Sequence, residues 1–520
     1  MTQISRAAFA RFFRLGQTRA YGLALGLLGA LVLAAPAAQA AELKARLQSD
    51  IGILDPAFWQ SAAEQQVIDA IFPKLIDFKS STDWEWELSA AESIEQVDDL
   101  TISFTLKPGL MWTGDYGEVT AEDVKFSFER FVDPALDAPN KGDWIALKEV
   151  EVTGKYSGVI HLKEPFAPIW WSTLPYTSGA ILSKAAVEKA GGKITTDPGA
   201  TSGPYKIAEW HPKQKLVLAA HDGWNGEAPG YDSVTLVPIN DEKTAEIAFS
   251  AGEVDFAEIA ISSVPVLQSD PPEGAKLEVR PTADYFWLGL NVANPKFADI
   301  RVRQAIMKAI DVEAILDGAF FGAAPRATGM VAPGLLGYRD ITPPARDVEG
   351  ARKLLDEAGA SGLSVELEVQ NITDGVTAAQ IIHANLAEVG IELQINTHDP
   401  GGFWNLGEEK GEALELTLKS YVNPPDASWG TQWFLAEQKG IWNWEYLDDP
   451  EFEELHKKAL GETDFDKRAA MYVRMQEIMD ESGGYLWITY PPSAVVYRDS
   501  VIPGMFPNGR MKLSAFKPAS

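Results

Sequence analysis

Leu100, Ile102, Phe104 and Leu106 alternate with Thr101, Ser103, Thr105 and Lys107, and Pro108-Gly109 closes the run. A period of two predicts a strand with one buried face. Further on, Thr120 is followed three residues later by Asp123, a capping box that predicts a helix start. Val124, Phe128, Phe131 and Val132 recur at helical spacing as its apolar face, and Pro134 stops it. In the second half, Val302, Ile306, Ala309 and Ile310 line one helix face. Asp347 caps another helix, carrying Val348, Ala351, Leu354, Leu355 and Ala358 and closed by Gly359. A strand at Leu363–Val369, a helix with Ile382, Leu386 and Val389 ending at Gly390, and a strand with Ile391, Leu393 and Ile395 follow. Strand, helix, strand at this spacing predicts a mixed α/β body.

One apolar run has no period. Leu23–Ala35 follows Arg6, Arg11, Arg14 and Arg19, and Ala38-Gln39-Ala40 precedes Ala41-Glu42. A basic start, a short apolar core and an A-x-A site predict an export signal cleaved after Ala40, leaving a periplasmic protein. The run is well short of the ~20 apolar residues that a spanning helix needs. Four of the 45 basic residues and none of the 74 acidic ones precede Ala41, so cleavage takes the net charge from −29 to −33. Such a surface repels nucleic acid and anionic lipid. The chain has no cysteine, which excludes disulfides, thiolate metal sites, cysteine nucleophiles and a lipidated N-terminal cysteine. About 480 mature residues exceed what one core holds, so at least two domains are expected.

Six segments, in order along the mature chain, resemble the bacterial extracellular solute-binding protein family 5, the dipeptide- and oligopeptide-binding class of peptide/nickel-type ABC importers. They are Leu54-Asp55-Pro56-Ala57, then Ala91-Glu92-Ser93 through Leu106-Lys107-Pro108-Gly109, then Thr120 to Ser127. Ser202-Gly203-Pro204-Tyr205 with Trp210, Ser250 to Asp255, and the block Leu290-Asn291, Asp299, Arg301 to Ala305, Ala309-Ile310-Asp311 complete the set. The resemblance implies a two-lobed α/β periplasmic binding protein fold with an extra subdomain in lobe I. Mapped here, lobe I spans about 41–283 plus 492–520, with the subdomain near 79–199, and lobe II spans about 284–491. The two crossover segments are expected near Tyr285–Leu290 and Tyr485–Pro492, with solute held between the lobes.

Candidate ligand chemistry concentrates in aromatic side chains. Trp404, Trp429, Trp433, Trp442 and Trp444 fall within 41 residues, with Tyr421 among them and Tyr446 two residues beyond. Several sit in Gly/Pro/Asn-rich loops, where binding residues concentrate, although tryptophans also serve as packing. In dipeptide-binding relatives an aspartate in the loop after a strand like Leu414–Lys419 pairs with the peptide amine. Here that stretch reads Ser420-Tyr421-Val422-Asn423, with no carboxylate. Asp426 follows, as a loop-structuring residue or a ligand contact. Trp59 lies in the loop that the resemblance turns toward ligand. The candidate ligand-binding set is therefore Trp59, Trp404, Tyr421, Asn423, Asp426, Trp429 and Trp433. Arg326 is a candidate for a peptide carboxylate, with a plain surface arginine as the competing reading.

No G-x-S-x-G elbow, H-E-x-x-H or P-loop occurs. Acidic pairs are too common in this chain to signal a glycosidase. The six histidines (His161, His211, His221, His383, His398, His456) are scattered, with no i,i+4 pair. No catalytic residue, cofactor or metal ligand is assigned. The expected function is the periplasmic substrate-binding component of an ABC importer, a monomer that delivers a peptide or peptide-like amino compound to an inner-membrane permease. An oligosaccharide ligand and a ligand-presenting sensor are the alternatives.

Overall fold

The alternating run forms the strand Thr101–Leu106, with Ile102, Phe104 and Leu106 buried and Thr101, Ser103 and Thr105 half-buried. Leu100 leaves the pattern and is 40% exposed. The side chain of Asp98 accepts from the Leu100 backbone N–H at 2.9 Å, so Leu100 belongs to the turn before the strand. This computed structural model describes residues 41–80, 84–422 and 424–519. The export signal and its cleavage site fall outside the described residues.

Thr101–Leu106 is an inner strand of a four-stranded antiparallel sheet. The order is Ala91–Asp98, Thr101–Leu106, Ser157–Leu162, Leu147–Val152. The helix beside it, Ala121–Glu129, starts at the expected capping box, with the Thr120 N–H donating to Asp123 at 2.9 Å. It tightens into a 3₁₀ turn at Arg130–Val132 before Pro134, so Phe131 and Val132 leave the α-helical stretch.

A larger sheet has seven strands in the order Ala275–Arg280, Ser493–Arg498, Phe256–Ile259, Glu42–Leu47, Ser233–Pro238, Lys215–Ala220, Tyr205–His211. Glu42–Leu47 is parallel to both neighbours, in register Leu43 with Val234 and Ala45 with Phe256. Ser493–Arg498 is antiparallel to the strands on either side of it.

The second sheet has five strands in the order Glu392–His398, Ser364–Gln370, Leu416–Tyr421, Tyr285–Leu290, Tyr485–Thr489. Ser364–Gln370 and Glu392–His398 are parallel and joined through the helix Thr373–Glu388, the expected strand-helix-strand unit. One of its inner strands, Tyr285–Leu290, is buried throughout. Phe286, Leu288 and Leu290 face a core with the helices Ile300–Ala309 and Val312–Phe320, while Tyr285 and Trp287 face an aromatic core on the opposite side. A strand covered on both faces reads as a continuous apolar run, because water meets neither set of alternating side chains.

The chain leaves the seven-stranded sheet at Arg280 and enters the second at Tyr285; it leaves that sheet at Thr489 and re-enters the first at Ser493. The passages are therefore residues 281–284 and 490–492. Of the segments expected to cross, Tyr285–Leu290 and the first part of Tyr485–Pro492 are neighbouring strands, while 490–492 is the second passage. Their buried runs are held by ladder hydrogen bonds, which a free linker would leave unpaired.

Candidate solute-binding site

Parallel strands bring their carboxyl ends to one edge, where α/β sheets bind ligands. At that edge Arg46 is 4% exposed. Its guanidinium donates to the carbonyls of Ile239 (2.8 Å), Glu258 (2.6 Å) and Asn240 (3.1 Å), tying three strand ends together. The Glu258 carboxylate accepts from Ser493 Oγ at 2.8 Å and from Gln48. Thr282 Oγ1 donates to the Pro491 carbonyl at 2.6 Å, joining the two passages.

The helix Ala62–Ile71 starts beside these strand ends. Its capping box runs between Ser61 and Glu64. The Glu64 carboxylate also accepts from the backbone N–H groups of Gly52 (3.1 Å), Ile53 (3.0 Å) and Gln60 (2.8 Å), pinning the preceding loop. Gln65 and Gln66 are 4% and 5% exposed despite their polarity. The C-terminal loop closes the edge. Phe506 N–H donates to the Arg510 carbonyl at 2.8 Å across a turn in which Gly509 has φ +78°, a region that favours glycine. Arg510 then donates to Gln65 Oε1.

These parts enclose a cavity of about 230 Å³, lined from the first sheet by Arg46, Glu258 and Ser493 and from the helix by Gln66. Thr282 and Asp284 of the first passage, Val422 beyond the second sheet, and Asn508 and Arg510 complete the wall. A larger groove of about 550 Å³, around Lys74, Trp224 and Lys512, has no lining residue from the second sheet. The smaller cavity is lined by the first sheet, by the first passage and by Val422, the residue that follows the strand Leu416–Tyr421.

The aromatic residues singled out in the sequence gather into a chain. Trp404 lies 5.8 Å from Tyr421 and 5.9 Å from Trp442, Trp442 lies 5.4 Å from Trp433, and Trp433 meets Trp429 edge-on at 4.9 Å. Tyr421 is buried and its hydroxyl donates to the Trp442 carbonyl at 2.7 Å. Trp59 stands apart, 6.3 Å from Tyr176, with its indole nitrogen unpartnered. Asn423 lies outside the described residues. Trp429 reaches the half-buried Asp143 of the segment before Leu147–Val152. Burial pushes the Asp143 carboxyl up to about 6, against hydrogen bonds from Ser178 and Trp429 that favour its charge.

Asp426 is committed to protein partners. It accepts from Arg468 at 2.7 and 2.9 Å, from the Ser428 N–H at 2.9 Å and from the Tyr472 hydroxyl at 3.3 Å. A fork from Arg468 and a helix cap together fix the loop that carries Trp429. Beneath the aromatic chain, Lys419 and Glu445 form an ion pair at 3.2 Å with exposures of 0% and 1%. Trp287 Nε1 donates to the same carboxylate at 3.0 Å. Burial pulls the Lys419 ammonium down to about 8, while Glu445 opposes that fall. A Cβ at Gly289 would collide with the Glu445 carboxylate, so glycine leaves room for the pair. Arg326 binds Glu313 at 3.1 Å and the Pro344 carbonyl at 3.0 Å, and it does not line the cavity.

Residues 85–441 match the family model for bacterial extracellular solute-binding proteins, family 5 (middle). The chain belongs to this family. It is similar to the glutathione-binding protein GsiB of Escherichia coli strain K12, 27% identical over 469 residues that cover 88% of this chain and 90% of that protein. The fold matches the ABC transporter-associated periplasmic binding protein DppA of Helicobacter pylori in complex with the peptide STSA. That match has a TM-score of 0.76 at 24% identity and covers 92% of this chain and 98% of the other. It also matches the substrate-binding protein CtaP of Listeria monocytogenes, with a TM-score of 0.83 at 19% identity over 93% and 100% of the two chains. The mixed α/β architecture is thus the periplasmic binding protein fold.

A family 5 solute-binding protein holds a small molecule rather than converting it. Among the described residues no group of three or more His, Asp or Glu side chains is placed to hold a metal ion. His456 is kept neutral, with burial holding it down at about 4 and Thr431 Oγ1 2.8 Å from its Nδ1. Among the described residues, none of the candidates read from the sequence lines the cavity of this solute-binding protein, and Arg46, Gln66 and Arg510 are among the wall residues that sequence reasoning missed. Gln66 left a readable signal, since it shares a helix face with Ala63, Ala70 and Val67 and is a polar residue on an apolar stripe. Arg46 and Arg510 left none, because their approach depends on strand order and on a loop distant in the chain.

Proposed function

We propose that this protein captures a peptide or peptide-like amino compound between two lobes and delivers it to the membrane permease of an ABC importer. Lobe I is assigned to 41–283 plus 492–520, with an extra subdomain near 79–199, and lobe II to 284–491. The protein works in the periplasm as a monomer. The observation that carries this reading is the cavity of about 230 Å³, where strand ends of the seven-stranded sheet meet the first passage and Val422. It lies below the ~300–1,000 Å³ typical of clefts for drug-sized ligands, and its wall holds Arg46, Arg510, Glu258 and Asp284. Charges of both signs around a small space favour a short zwitterion. The ligands named for the relatives, glutathione and the peptide STSA, are of this kind.

Contacts across the two bodies support closure as the mode of capture. Trp171 meets Phe465 edge-on at 6.0 Å, and Trp429 reaches Asp143. Such contacts form only when the lobes meet, so ligand binding and closure stabilise each other. A thermal-shift screen with glutathione, Met-Leu, Ser-Thr-Ser-Ala, cello-oligosaccharides and nickel tests the reading. A ligand at about 100 times its Kd adds about 2.7 kcal/mol, so a peptide hit raises the melting temperature clearly. A shift with sugars or nickel alone would overturn the proposal.

A further inference from the structure

The cavity wall contains two guanidinium groups in different electrostatic states. Arg46 is saturated by carbonyl oxygens of Ile239, Glu258 and Asn240 and serves as a brace. Arg510 donates to the neutral amide of Gln65, and among the described residues no carboxylate lies within ion-pair distance of it. Its backbone is fixed on both sides. The Arg510 N–H donates to Asn508 at 3.2 Å, and the Met505 N–H donates to Ser80 Oγ at 2.9 Å. A guanidinium carries five N–H donors in a planar fork, so Arg510 keeps donors for the cavity. Gln66, on the next helix position after Gln65, lines the same cavity, and its Oε1 is buried with no partner. A buried acceptor without a donor is costly, and a ligand N–H would satisfy it.

We propose that Arg510 is the carboxylate-binding residue of this protein and Gln66 the acceptor for a ligand N–H, so that the cavity selects short molecules carrying both groups. This rests on the peptide-like reading given above and narrows it to ligands with a free carboxylate. Isothermal titration with Met-Leu and Ser-Thr-Ser-Ala, each as free acid and as C-terminal amide, tests it. The wild-type protein is expected to prefer the acids by on the order of 10- to 100-fold, the span of a charge-assisted hydrogen bond. Arg510→Gln should lose that preference, and Arg510→Lys should retain part of it. Equal binding of acid and amide by the wild type, or an acid preference that survives in Arg510→Gln, would overturn the assignment of Arg510 and leave the peptide reading standing. Binding of neither form of either peptide would remove the peptide reading, and this assignment with it.

Discussion

Replacing Lys419 with methionine keeps the length of the side chain and removes its charge, leaving Glu445 buried at 1% exposure with Trp287 Nε1 as a donor 3.0 Å away. A lone carboxylate in that setting is so unfavourable that the folded variant holds a proton on it instead. Glutamate in an unfolded chain titrates near 4.3, so keeping the proton at pH 7 costs about 3.7 kcal/mol, and at pH 5 only about 1.0 kcal/mol. The sign follows from linkage. The raised acid of the variant contributes stability below the unfolded value and loses it as the pH rises. In the wild type Lys419 keeps its charge across this range, because burial pulls it down only to about 8. Urea unfolding followed by tryptophan fluorescence at pH 5, 6 and 7 should therefore show a gap between wild type and Lys419→Met that widens by about 1.4 kcal/mol per pH unit. Adding Glu445→Gln should close most of the gap at pH 7, since the amide oxygen still accepts from Trp287. A gap of the same size at pH 5 and pH 7 would refute the argument, because no buried carboxylate would then be taking up a proton.

Asp143→Asn should stabilise the protein at pH 7.5, by on the order of 1–3 kcal/mol, and make no difference at pH 4. The native carboxyl is held up at about 6 by burial, so its share of stability is present in acid and lost as the pH rises through that value. A variant that melts below wild type at pH 7.5 would contradict this. Gly289→Ala should cost roughly 1–3 kcal/mol, because its methyl group overlaps the Glu445 carboxylate and crowds Thr417. An unchanged melting temperature would show that the ion pair can move aside.

The elements were legible where a local pattern carried them. The capping box at Thr120 and Asp123, the Asp347–Gly359 helix and the strand-helix-strand unit at 364–398 lie where spacing predicts, within a residue or two. Tyr285–Leu290 and Tyr485–Pro492 read as connections between lobes, yet only 490–492 of them runs between the sheets. A continuous apolar run does not say how many neighbours pair with it, and here Tyr285–Leu290 and Tyr485–Thr489 are strands of the second sheet. The tryptophans were visible as a cluster, but their partners were not. Trp429 reaches Asp143 from nearly 300 positions away in the chain, and no local rule encodes that encounter. The cavity itself was the least readable part, because Arg46, Gln66 and Arg510 come from a strand end, a helix face and a C-terminal loop.

Ser493–Arg498 joins Ala275–Arg280 to Phe256–Ile259. It follows the other six strands of that sheet along the chain. A chain emerging from the ribosome can build the second sheet while the first still lacks the strand that ties in its edge. The seven-stranded sheet therefore cannot close until translation has passed residue 498. A translocation channel that accepts only unfolded chains would find this order of assembly favourable. A stop codon placed just before Ser493 should leave a product that proteases remove, even though more than nine-tenths of the sequence is present.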